Sequence, residues 1–149
     1  MARKFSQAYL DQLFSAPDLS KFVEISGYLI GSDTYDRREA TYGFPAPVFV
    51  FVESLVWFSQ TIRSGAWTYY EATPPVRQAA MRDALNVHAP DELVVQYARG
   101  MKDWRDKARI AQVDEWISAN EEICDRWLWH LILDHRPAIE VLCGQIITH

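Results

Sequence analysis

The stretch Val48-Phe49-Val50-Phe51-Val52-Glu53-Ser54-Leu55-Val56-Trp57-Phe58-Ser59-Gln60-Thr61-Ile62 decides the fold class. Its opening alternates β-branched with aromatic residues, which is the composition of a strand. Its apolar character nevertheless runs to Ile62, longer than the roughly five or six residues of a usual strand. The residue types leave strand and helix both open, and length weighs for a buried helix.

Working outward, the neighbouring segments carry a helical period. Phe5, Tyr9, Leu10, Leu13 and Phe14 recur at helical spacing until Ser15-Ala16-Pro17-Asp18 stops them. Leu19, Phe22, Val23, Ser26, Leu29 and Ile30 repeat the pattern and end near Gly31. Residues 32–47 mix charges with Gly43 and two prolines and read as one long irregular connection. Beyond the central stretch, residues 64–73 read as a turn rich in aromatics (Trp67, Tyr69, Tyr70). Thr73 before Pro74 then reads as a helix N-cap. Pro90-Asp91-Glu92 opens another helix, its two carboxylates favoured by the helix dipole.

Val113, Trp116, Ile117, Cys124, Trp127, Leu128 and Leu131 fall on one side of a single amphipathic helix over residues 113–134, which Pro137 prevents from continuing. A short closing helix through Ile139, Leu142 and Ile146 is expected to pack on it. Nothing else alternates with period two. The expectation is an all-α fold, a compact bundle of six or seven helices forming one domain over residues 1–149.

Composition narrows the class of function. A chain of 149 residues that is 49% hydrophobic and 13% aromatic has enough apolar material for a core without disulfide or metal staples. No uncharged apolar run approaches the ~20 residues of a membrane span, and residues 1–9 lack the apolar centre of a secretory signal. The expected location is the cytoplasm. Cys124 and Cys143 lie far apart inside apolar patterns, as buried thiols do, and a single disulfide between them stays open.

Charge points to the kind of partner. The formal net charge is -5, which argues against a nucleic-acid-binding surface and permits a partner that is itself basic. Residues 113–149 hold seven acids and two bases, which alone equals the whole net charge. On one continuous helix Asp114, Glu115, Glu121, Glu122 and Asp125 share an arc of roughly 120° opposite the apolar stripe, with Trp129 in the same arc. An aromatic among carboxylates has the chemistry of an interface anchor. From Asp114 to Asp125 such a helix rises about 16 Å, roughly one charge per 3 Å. Duplex DNA carries one per ~1.7 Å, so a full mimic needs a second acidic row. Asp33, Asp36 and Glu39 are the candidates, interrupted by Arg37 and Arg38. The mixed cluster Lys102, Asp103, Trp104, Arg105, Asp106, Lys107 and Arg109 reads as a solvated joint between helices.

Catalytic and metal motifs are sparse. His130 and Asp134 stand at i,i+4 with His135 adjacent, two ligands on one helix without a partner motif. Ser64-Gly65 lacks a nucleophile-elbow context, and no glycine loop cradles phosphate. Neither a cofactor nor a metal is expected.

One family resemblance adds to this. Glu53, then Ser64-Gly65-Ala66-Trp67-Thr68-Tyr69-Tyr70, then Ala84-Leu85, then His88-Ala89-Pro90 follow in the order of a pattern spread over residues 53–101. The pattern resembles a widespread bacterial all-helical domain of unknown function that includes a DNA-mimic protein. Ser64 and Ala66 stand where that domain has asparagine and a second glycine. The resemblance implies a helical fold and matches positions that set a turn against a core. The acidic residues through which the mimic acts have no position-by-position match here, and none is carried over.

The resulting expectation is a non-enzymatic acidic protein, bacterial or phage, that blocks the basic surface of a nucleic-acid-binding partner as a DNA mimic, repressor antagonist or anti-CRISPR inhibitor would. Its partner-binding residues are Asp114, Glu115, Glu121, Glu122, Asp125 and Trp129, and it acts as monomer or homodimer. The alternatives are a toxin-immunity protein, or a small metal- or ligand-binding enzyme using the aromatic turn or His130 with Asp134.

Overall fold

A computed structural model describes residues 5–144. Among them are nine α-helices and no strand, so the fold class is all-α. The contacts gather into two compact units, one from residues up to Val52 together with those from Asp125 onward, the other Glu53–Cys124.

The first unit holds α1 (Gln7–Leu13), α2 (Leu19–Ile30), the opening of α3 (Ala46–Ser64), most of α8 (Glu121–Asp134) and α9 (Arg136–Cys143). Ser6 and Asp18 cap α1 and α2 by accepting backbone N–H groups from Tyr9 and Ser20, which fixes both starts. Phe22, Ile25 and Leu29 are the buried face of α2, and Phe22 meets Phe51 edge-on at 6.1 Å between ring centroids. Arg136 ties α9 to α1 through Asp11, bonds Glu140 at 2.6 Å, and lies 4.8 Å over the Phe14 ring. Between α2 and α3 the chain is irregular, as expected from its prolines and mixed charge. Ile146 lies outside the described residues.

The central stretch is helical. Residues 48–54 are all buried, which explains why their sequence shows no polar face: a helix covered all round is apolar all round.

The second unit comprises the rest of α3, α4 (Ala66–Ala72), α5 (Pro75–His88), α6 (Asp91–Asp103), α7 (Lys107–Ala119) and the first residues of α8. Trp57, Tyr69, Tyr70, Met81, Leu85, Leu93, Tyr97, Val113 and Ile117 form its core. At Gly100 a Cβ would stand 2.1 Å from Cζ of Tyr70, so the bare backbone of α6 is what lets that ring lie against it.

Three expectations are corrected. Among the described residues the helix count is nine rather than six or seven, for two reasons. The aromatic turn is itself a helix, α4, started by Gly65 at φ +97°, and the long amphipathic helix is two helices. Its break falls at Asn120, whose side-chain amide donates to the Trp116 carbonyl at 2.7 Å and so ends α7, while the Asn120 carbonyl accepts from Cys124 N–H and begins α8. Thr73 does not cap α5. Its hydroxyl donates to the Tyr69 carbonyl at 2.6 Å and closes α4, while Pro74 and Pro75 open the next helix.

Candidate functional site

The break at Asn120 redistributes the acidic residues. Asp114 and Glu115 ride on α7, whereas Glu121 and Glu122 occupy the first turn of α8, where the dipole favours carboxylates. The single 120° arc therefore does not exist. Glu115, Glu121 and Glu122 are exposed, and Asp125 is exposed one turn along α8. Glu122 and Asp125 each have a partner within the protein.

Asp114 is the clearest departure from the expected site. It is half-buried, and its Oδ1 accepts the Ala66 backbone N–H at 2.7 Å. The glycine before α4 offers no side-chain cap, so α7 supplies the missing carboxylate from across the unit. Trp129 is half-buried with its ring 6.2 Å from that of Phe22, a packing residue of the first unit more than an outward anchor. Of the proposed second acidic row, Asp36 is taken by Arg38 at 3.0 Å, whose hydrogen bond holds that carboxyl below the usual range.

Two of the residues behind the catalytic alternative are closed to ligands. Tyr69 and Tyr70 are only 1% and 2% exposed. The Tyr69 hydroxyl donates to Glu53 Oε2 at 2.5 Å and meets the Tyr97 hydroxyl at 2.7 Å, while the Tyr70 hydroxyl donates to the Tyr97 carbonyl at 3.0 Å. Burial, then the Glu53 charge, pushes the Tyr69 phenol well above its ordinary range. Glu53 and Tyr69, two positions of the resembling pattern, thus meet as a buried structural pair. His130 and Asp134 are exposed, and no group of three or more metal-ligating side chains gathers among the described residues. Neither cysteine forms a disulfide, and both are buried. Burial, then the Glu140 charge, pushes the Cys143 thiol up to about 12, far from a thiolate nucleophile at neutral pH.

A site the sequence did not single out lies in the second unit. Trp67 on α4, Trp104 and Arg105 in the joint between α6 and α7, and Lys107 and Ile110 on α7 line a cleft of about 330 Å³. Gly65 leaves room for the Trp67 indole there, since a Cβ at that position would stand 3.1 Å from Cδ1. Asp114 holds the start of α4 against α7, which brings the two walls together. The Arg105 guanidinium lies 4.4 Å over the Trp104 ring. Arg109 takes up both aspartates of the joint, at 3.4 Å to Asp103 and 3.7 Å to Asp106.

Compared with family models, curated proteins and solved structures, the chain matches none. Among the described residues no helix is long and apolar enough to cross a membrane.

Proposed function

We propose that this is a non-enzymatic binding protein whose carboxylates occupy the basic surface of a nucleic-acid-binding partner. The observation that carries the reading is exposure combined with charge imbalance. Glu115, Glu121, Glu122 and Asp125 all face solvent in a segment with seven acids and two bases. Carboxylates in such a segment compete with phosphates for Lys and Arg side chains, steer the encounter, and lose grip as salt rises. Asp114 and Trp129 take no part in this reading, being committed to the Ala66 amide and to Phe22.

The test is charge reversal. Immobilised protein is exposed to lysate of its native host, and the retained proteins are eluted by salt or by duplex DNA and identified. The wild type is expected to retain a nucleic-acid-binding protein that both agents release. A Glu115→Lys, Glu121→Lys, Glu122→Lys variant is expected to lose it while keeping its helical circular dichroism. Equal retention by the variant rejects the reading.

A further inference from the structure

We propose that the cleft between Trp67 and the α6–α7 joint is a docking site for an acidic peptide segment carrying one large apolar side chain. Its walls are chemically divided. Trp67 (44% exposed), Trp104 and Ile110 supply the apolar surface, and Arg105 and Lys107 supply the charge. Both cations are exposed, and among the described residues neither has a carboxylate within ion-pair distance. Arg109 in the same joint has two. The joint therefore neutralises one of its cations and leaves the two that border the cleft without a carboxylate.

Three features fix the class of occupant. The two cations select an anion, and the acids nearest them in the chain, Asp103 and Asp106, are paired with Arg109. At about 330 Å³ the cleft is at the lower end of the roughly 300–1,000 Å³ of small-molecule pockets, and it opens to solvent along one side. It suits a side chain delivered by a partner better than a free ligand that must be enclosed. Its lining offers donors only, the Arg105 and Lys107 heads and two indole N–H groups, with no acceptor for a base's amino edge, and a carboxylate meets the two cations with charge-assisted bonds that a neutral base edge does not form. Tryptophan and arginine around a small apolar recess are the composition of an interface hot spot, and Arg105 is already ordered by stacking on Trp104.

The proposal uses residues separate from the exposed carboxylates, so either reading stands or falls alone. The probe is the peptide acetyl-Glu-Asp-Phe-Asp-Glu-amide, titrated to millimolar concentration while the six indole N–H resonances are followed by NMR, with Trp67 and Trp104 assigned from their Phe variants. The peptide is expected to shift those two resonances saturably. Lys107→Glu, an exposed change on the rim, is expected to weaken the effect at least ~5-fold, as is replacement of the peptide Phe by Ala. Absence of a shift, an equal shift with the Ala peptide or with Lys107→Glu, or a shift produced by a single-stranded oligonucleotide but not by the peptide, each overturns the proposal.

Discussion

The Asp114 carboxylate accepts the backbone N–H of Ala66 at 2.7 Å, so a residue on α7 caps a helix that starts forty-eight positions earlier. Gly65, at φ +97°, turns the chain tightly and has no side chain with which to cap. The bond is charge-assisted and half-buried, and it ties together the two walls of the Trp67 cleft. Asp114→Ala is expected to cost about 1–3 kcal/mol in stability, and Asp114→Asn, which keeps an acceptor, clearly less. Urea titration of the three proteins measures this. An unchanged midpoint in Asp114→Ala means the carboxylate does not hold α4.

Gly100 and Tyr70 make a second close fit. A methyl group at Gly100 would meet Cζ, Cε2 and the hydroxyl of Tyr70 within about 2.2 Å. The ring cannot swing aside without giving up its 3.0 Å bond to the Tyr97 carbonyl. Gly100→Ala is expected to cost about 1–3 kcal/mol or more, since overpacking outweighs the gain in helix propensity. Tyr70→Leu also destabilises, but the double variant Gly100→Ala, Tyr70→Leu is expected to be more stable than the sum of the single losses. Denaturation of the four proteins closes that cycle, and simple additivity means that the two side chains do not meet.

Thiol reactivity follows from burial. Cys124 and Cys143 are 2% and 5% exposed, and the Cys143 thiol is pushed up to about 12. At pH 8 Ellman's reagent is expected to react with both thiols at least about tenfold more slowly in the native protein than in 6 M guanidinium. Immediate native reaction of one thiol would place it at the surface.

The legible parts of this fold are those written in a single helix. The boundaries of α2 follow from Asp18, the apolar period through Ile30, and Gly31. The helical state of residues 48–62 follows from length, although the composition of their opening argues for a strand, because burial of residues 48–54 on every side removes the polar face that would declare a helix there. Asn120 before Glu121-Glu122 is in fact a helix-start signal, hidden because the apolar stripe continues in register on both sides of the break. The candidate sites were less legible, since they depend on which charges find partners. Asp114 has the same local sequence logic as Glu115, yet only Asp114 meets a bare helix start. Lys107 and Arg109 belong to one charge run, yet only Arg109 reaches Asp103 and Asp106. Pairing across helices decides these roles, and no spacing rule within one helix contains it.

Tyr69 gives the unit a dependence on pH whose sign can be worked out. Its hydroxyl, bonded to Glu53 and Tyr97, is held protonated well above 10.0, while in the unfolded chain it titrates near that value. A group with its native pKa raised stabilises fully below the unfolded pKa and loses that contribution as pH rises through the window between the two. Stability is therefore expected to be insensitive to this residue at pH 7 to 9. Above pH 10 it falls by up to about 1.4 kcal/mol per pH unit from this site. Tyr70, raised by its own burial, steepens the fall. Tyr69→Phe is expected to lose about 1–3 kcal/mol at pH 7, because Glu53 loses a buried donor, and then to show a shallower alkaline decline than the wild type. Urea midpoints from pH 7 to 11 compare the two slopes. Parallel declines would mean that the Tyr69 proton is not held by the fold.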